Sequence, residues 1–224
     1  MGVQMRKEKL EDKSKLEKSY LEMLNEARKN ASSLRDKLDD LSVDENIKSR
    51  IRRILGDTDN ERCMEEAIRY SLWLDSERAS SFFADIVLIC EGAAEKTFID
   101  YMIKNEWIDL REKKIYVLDA MGKFNIHRYM NLFKELGIYH SILADEDENN
   151  HVHEIINQFI KNNKNNYTKG IYFFHRNIED FLGISHPPPN RRDKRPLNVM
   201  WHYKNGKIAE DKLDKLKNII VQLT

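Results

Sequence analysis

Cysteine is nearly absent from this chain of 224 residues: Cys63 and Cys90 are the only two. They have neither the number nor the spacing of a disulfide framework or a cysteine zinc site. Cys90 ends an apolar run, where a buried thiol is ordinary, and neither cysteine is given a chemical role. Helix breakers are just as scarce at the start. All four prolines (187, 188, 189 and 196) follow residue 186, and Gly56 is the only glycine between Gly2 and Gly92, so the first 85 residues are expected to be largely helical. No run approaches the roughly 20 apolar residues that span a bilayer, and the Lys- and Glu-rich start has no apolar signal core. The expectation is a cytoplasmic chain with no membrane partner. Nor is there a surplus of one charge, since Lys plus Arg and Asp plus Glu stand at 38 each, which argues neither for nor against nucleic acid.

What is present is a globular composition, 41% hydrophobic and 34% charged, which excludes a mostly disordered chain. Tyr20, Leu24, Ala27, Ala31, Leu34, Leu38 and Leu41 alternate at steps of four and three, a heptad seam on a long charged helix. Two readings stand side by side: packing within the same chain, or self-association of two arms into a homo-oligomer. Ser42 or Asp44 can cap a second helix carrying Ile47, Ile51, Ile54 and Leu55, ended by Gly56 in the left-handed conformation. A third helix from Asp57 or Asp59 is expected to place Met64, Ala67, Ile68 and Leu72 on one side.

After Ser80 the pattern changes. Continuous apolar runs at 86–90, 115–118, 138–143 and 171–174 suit strands buried on both faces. Helical segments at 95–105, 126–136 and 151–162 lie between them. Strands alternating with helices predict an α/β fold, a doubly wound parallel sheet flanked by helices, with sites at the carboxyl ends of its strands. Three regions result: a helical arm over 1–80, a central domain over 81–185, and a tail over 186–224. The tail holds a Pro-rich loop, a segment over 197–203, and a last helix carrying Leu213, Leu216, Ile219, Ile220 and Leu223. It is locally basic, with Arg191, Arg192, Lys194, Arg195, Lys204, Lys207, Lys212, Lys215 and Lys217 against Asp193, Glu210, Asp211 and Asp214. That is either a phosphate-facing end or a solvated basic surface.

Acidic residues converge on this scheme. Glu91 follows the first strand, Asp119 the second, Asp145 and Asp147 the third, and Glu179 soon after the fourth. Carboxylates gathered at one sheet edge repel one another without a cation, and hard divalent ions need oxygen ligands. In Glu91-Gly92-Ala-Ala-Glu95, the glycine is expected to turn the chain sharply into a helix that brings Glu95 round beside Glu91. The plainer alternative makes Glu95 a first-turn acid facing the helix dipole. In Asp145-Glu146-Asp147, extended alternation would put the two aspartates on one side, against the alternative of a simple acidic loop. Asp119-Ala-Met-Gly122-Lys123-Phe-Asn125 supplies a turn glycine, a lysine for a phosphate contact and a helix cap. It is not a nucleotide-binding P-loop, because no glycine lies five positions before Gly122 and no Ser or Thr follows Lys123. The histidines at 127, 140, 151, 153, 175, 186 and 202 show no metal-protease spacing and are read as surface or turn residues.

The order strand-Glu-Gly-x-x-Glu, strand-Asp-x-x-Gly-Lys-x-Asn, strand-Asp-x-Asp resembles the Toprim domain shared by type IA and II topoisomerases, bacterial primases and certain nucleases. More narrowly, Phe82 to Gly92, together with Asn177-Ile178-Glu179-Asp180-Phe181-Leu182, looks like the carboxyl-terminal half of the OLD (overcoming lysogenisation defect) family nucleases, a similarity extending over 75–185. The resemblance implies a metal-dependent DNA endonuclease that hydrolyses phosphodiesters with two Mg2+ or Mn2+ ions, with anti-phage defence among the family's roles. It implies Glu91, Asp145 and Asp147 as ligands of one ion and Glu95 and Glu179 at the other, with Asp119 a further metal candidate. It also implies a basic residue that stabilises the transition state, for which Lys194 and Arg195 are the match and Lys204 the fallback. Family members join an ABC-type ATPase to this half; here that partner is expected elsewhere, in a longer protein or another subunit. No strand-passage apparatus accompanies the nine tyrosines, and no template-binding module is visible, so hydrolysis is preferred to topoisomerase or primase activity. Two competing readings are a non-catalytic oligomerisation and nucleic-acid-binding module, its arm forming a dimer, and a Toprim nuclease that processes RNA.

Overall fold

The computed structural model describes residues 12–73, 81–147 and 150–224. Four helices come first: α1 (Lys13–Asn30), α2 (Ser32–Asp39), α3 (Glu45–Ile54) and α4 (Asn60–Trp73). Then follow β1 (Ile86–Cys90), α5 (Ala93–Asn105), α6 (Ile108–Arg111), β2 (Ile115–Asp119), α7 (Ile126–Leu136), β3 (His140–Asp145), α8 (His151–Asn162), β4 (Thr168–Phe174), α9 (Ile178–Leu182), α10 (Arg195–Lys204) and α11 (Glu210–Leu223). Among the described residues no helix is long and apolar enough to cross a membrane.

The four strands form one all-parallel sheet in the order β2-β1-β3-β4, the doubly wound α/β arrangement that the alternating runs predict. From β1 the chain crosses to β2 on one side, then returns past β1 to β3 on the other. The loops leaving β1 and β3 therefore diverge, opening a crevice at the carboxyl edge where such sheets take ligands. Every residue of β1 is buried, because successive side chains feed opposite faces. Val87 and Ile89 join a core with α1 to α4, α7 and α8. Leu88 and Cys90 join a second core with α5, α6, α9, α10 and α11.

The seam belongs to the first of these cores. Tyr20, Leu24, Ala27, Ala31, Leu34 and Leu38 are buried within this chain and Leu41 packs half-buried against the same core, so the internal-packing reading accounts for the seam, and any dimer contact of the arm would have to use mainly other residues. The single long helix expected there is two helices, interrupted at Ala31, whose φ and ψ of −96° and 21° leave the helical range. The second expected helix is α3, capped by the Asp44 side chain and ended at Gly56 with φ +71°.

The third helix turns a different face inward. Met64, Ile68 and Leu72 are 42%, 45% and 66% exposed, while Cys63, Glu66, Ala67 and Tyr70 are buried. Polar partners decide this rotation. Tyr70 stacks on Tyr20 with ring centroids 4.3 Å apart, and Glu66 accepts from Arg128 Nη2 at 2.6 Å; neither preference appears in a hydrophobic pattern.

Three histidines expected at the surface are also buried. His127 lies 3.0 Å from the Tyr20 hydroxyl. His140 meets the Ile138 carbonyl and the Thr168 hydroxyl, and His202 meets the Asn198 carbonyl and Ser185. Burial holds His127 well below the usual imidazole range and His140 at about 4, so both serve as neutral polar core residues.

A Cβ at Gly56 would stand 2.0 Å from the Leu24 carbonyl oxygen in a left-handed backbone. Gly56→Ala must therefore displace α1, and it is expected to cost ~2–4 kcal/mol, seen as a lowered urea midpoint. An unchanged midpoint would mean α1 does not dock here.

Candidate metal and phosphate site

The crevice collects five carboxylates and two fixed cations. Glu91 is the first residue after β1. Its backbone amide donates to the Leu143 carbonyl at 3.0 Å, and its side chain accepts from the Asp145 amide at 3.1 Å, pinning the ends of β1 and β3 together. Glu95 sits in the first turn of α5 and divides its two oxygens. Oε2 accepts from the Gly92 amide at 3.1 Å, the helix-terminus role set out as the alternative reading, while Oε1 is buried without a hydrogen-bond partner. Asp145 Oδ1 is likewise buried and unpartnered. Gly92 itself has an extended backbone, φ −148°, so the turn into α5 does not demand a glycine. Gly122, at φ +107°, does.

Asp147 reaches the cleft differently from expectation. The strand ends at Asp145, and Asp147 lies in a turn at φ +55°, a conformation aspartate tolerates better than most residues. Its Oδ2 lies 2.5 Å from Lys123 Nζ and 2.8 Å from His153 Nδ1. Glu146 faces away, near His175 at 3.6 Å. The simple alternation of an extended chain is therefore replaced by a turn that still gathers the two aspartates.

Lys123 was expected to face a phosphate. It is instead wholly buried, with Nζ donating to the Asp145 carbonyl at 2.5 Å and to Asp147, and standing 3.7 Å from Glu91 Oε2. Arg195 is its counterpart across the cleft. Nε and Nη2 each donate to one oxygen of the fully buried Glu179 at 2.6 Å, and Nη2 lies 3.4 Å from Asp145 Oδ2 and 3.7 Å from Glu95 Oε1. Of the basic residues in the Pro-rich stretch, Arg195 is the one drawn into the carboxylates. Lys194 is exposed at the start of α10, and Lys204 Nζ lies 5.6 Å over the Tyr101 ring. Asp119, at the end of β2, uses Oδ1 to accept from the Met121 amide at 2.7 Å, which shapes the loop beside Glu91.

Three participants carried no legible signal in the sequence. His153 adds a ring nitrogen to Asp147. Asn125, expected to cap α7, instead donates to the Ala120 and Met121 carbonyls at 3.0 Å each. It accepts in turn from Arg128 Nη1 at 2.6 Å, and Arg128 is held by Glu66 of the arm. A polar chain thus runs from α4 to the loop that carries Lys123.

The electrostatics follow this division. Burial pushes Glu95 up to about 7, with nearby Glu91 and Glu179 adding repulsion and Arg195 opposing it. Burial, then Glu95 and Glu91, raise Asp145 well above the carboxylate range. Burial also raises Glu91, opposed by Lys123. Asp147 moves the other way: although burial opposes its ionisation, His153 and Lys123 hold it at about 2.

Residues 82–147 match the family model described as overcoming lysogenization defect protein-like, TOPRIM domain. The chain carries an OLD-like Toprim domain. The matched span covers β1 to β3 and the acids from Glu91 to Asp147; Glu179 and Arg195 lie outside it. Comparison with curated proteins finds no match. Toprim domains generally bind divalent metals, and the donors here suit one: Glu95 Oε1 and Asp145 Oδ1 are hard carboxylate oxygens, buried without a hydrogen-bond partner. The ligand sets that the resemblance implies are not assembled as such, however. Among the described residues no three acidic, imidazole or thiol groups close around a single point, because Lys123 and Arg195 stand between the carboxylates.

Without a divalent ion, a Glu95 carboxyl raised to about 7 binds its proton more tightly folded than unfolded. Stability in EDTA is therefore expected to fall as pH rises from about 4.5 to 7, by roughly 3 kcal/mol from this group, and then to level off. Asp147 has the opposite sign, contributing stability above about pH 4 that is lost as pH falls toward 2. Urea unfolding at pH 5 and pH 8 measures the first effect, and Glu95→Gln should flatten it. A slope untouched by that change would assign the titration elsewhere.

Proposed function

We propose that this chain is a metal-dependent phosphodiester hydrolase that cuts DNA, the nuclease half of an OLD-type system. The observation that carries the reading is the pair of unpartnered, buried carboxylate oxygens, Glu95 Oε1 and Asp145 Oδ1, on two residues that both face the Arg195 guanidinium and lie within the span matched to an OLD-like Toprim domain. Mg2+ or Mn2+, when bound, supplies a charge that activates water and stabilises the leaving oxygen. Glu95 and Asp145 are the residues that would hold it, and Glu91 braces Asp145 by accepting from its backbone amide.

Arg195 receives the scissile phosphate. Glu179 uses both oxygens on the guanidinium, which fixes its plane and leaves it a preorganised donor toward the non-bridging oxygens. This gives Glu179 a positioning role in place of direct ligation. Asp147 and Glu91 hold Lys123, and Lys123 in turn holds the Asp145 carbonyl, so the end of β3 is kept in register with the cleft. Basic residues of the tail, which follow Arg195 in sequence, steer the polyanion. The reading extends to an ABC-type ATPase as partner and defence against phage as setting, for which the OLD-like Toprim match is the support.

A second reading, a nucleic-acid-binding module without catalysis, draws on the two cations already filling the cleft. Plasmid cleavage by the purified chain in Mg2+, Mn2+ or EDTA separates the two. Nicking or linearisation that needs the metal, disappears in Glu91→Ala and drops about 100-fold in Arg195→Ala is the expected result. DNA retention without cutting under any metal would favour the binding module.

A further inference from the structure

The Lys123 ammonium sits where a hard cation would sit. Its polar partners among the described residues are all oxygens: the Asp145 carbonyl and Asp147 Oδ2 at 2.5 Å, and Glu91 Oε2 at 3.7 Å. Two carboxylates and a backbone carbonyl are the same kind of donors that magnesium or manganese takes from proteins. An ammonium has three donors and no acceptor, so it is satisfied by such a cage as a small cation is.

The lysine is also anchored. Gly122 turns the chain with a positive φ, Lys123–Asn125 forms a single 3-10 turn, and Asn125 clamps the loop to Arg128 and, through it, to Glu66. The side chain has no solvent exposure. Withdrawing it would leave the half-buried Glu91 and Asp147 carboxylates without their cation, a costly loss of charge compensation. A divalent ion within ligand distance of the same oxygens would meet the ammonium almost in contact, so the two exclude each other. The oxygens without a hydrogen-bond partner are other atoms, Glu95 Oε1, 3.7 Å from Arg195, and Asp145 Oδ1, whose sister Oδ2 is the atom that faces Arg195.

We infer that Lys123 is a built-in cation: its ammonium permanently holds the Glu91 and Asp147 half of the cleft, and the chain takes one divalent ion, at the Glu95 and Asp145 half. This rests on the reading that the cleft binds a divalent metal, and it replaces the two-ion expectation with one ion plus one ammonium.

Manganese titration of the whole chain, following free Mn2+ by electron paramagnetic resonance at pH 7.5, tests the inference without any activity. Wild type is expected to bind one Mn2+ per chain. Glu95→Gln should lose that site or weaken it by at least tenfold, Asp147→Asn should keep it, and Lys123→Met should gain a second. Should Lys123→Met not fold, the wild-type count and the contrast between Glu95→Gln and Asp147→Asn decide by themselves. Two ions per wild-type chain, or a single site lost in Asp147→Asn and kept in Glu95→Gln, would overturn the inference and leave the nuclease reading standing. No Mn2+ bound by any variant would overturn both.

Discussion

Five carboxylates crowd the carboxyl edge of one parallel sheet, and everything around them answers to the repulsion this creates. Two cations are built into the wall: Lys123 between Glu91 and Asp147, and Arg195 between Glu179, Asp145 and Glu95. The balance is unequal. Asp147 is held ionised, while Glu95 and Asp145 are pushed toward protonation by burial. Burial of these carboxyls disfavours their charged forms, and a further positive charge would relieve this, which supports the metal-binding reading proposed for the cleft.

The position of each cation depends on packing far from the sheet edge. Lys123 reaches inward because its loop is tied by Asn125 to Arg128, and Arg128 is braced by Glu66 on α4. The helical arm therefore shares both a hydrophobic core and a polar chain with the loop beside the site. Tyr20 joins the two, stacking on Tyr70 while its hydroxyl meets His127 and Arg128. Arg195 is set by a different device, the Pro-rich stretch that ends in α10 and packs that helix along α5, the helix that carries Glu95. Two elements distant in sequence thus supply the two positive charges of one cleft.

Much of the fold was legible before any coordinates. Apolar runs marked β1, β2 and β4 and, from Ile138 onward, the approach to β3. The limits of α7 and α8 coincided with the expected segments, since fully buried parallel strands and amphipathic helices write strong, local patterns. The convergence of Glu91, Glu95, Asp145, Asp147 and Glu179 was legible for the same reason: once strands are parallel, the residues after them share an edge. Where the pattern misled, a polar partner was responsible. The buried face of α4 was chosen by Tyr70 and Glu66 over Met64, Ile68 and Leu72, and His127, His140 and His202 entered the core because each found hydrogen-bond partners there.

The sequence by itself determined the parallel α/β sheet, the order of its acidic motifs and the family resemblance, because these depend on periodicity and on residues close to one another along the chain. Only the tertiary structure decided that the seam is buried at home, that Arg195 and not Lys194 enters the carboxylates, and that Lys123 turns inward to them. The last two outcomes are pairings between charges 16 to 100 positions apart, such as Arg195 with Glu179 and with Glu95. No local pattern encodes them, since a charged side chain goes where burial leaves an opposite charge unanswered.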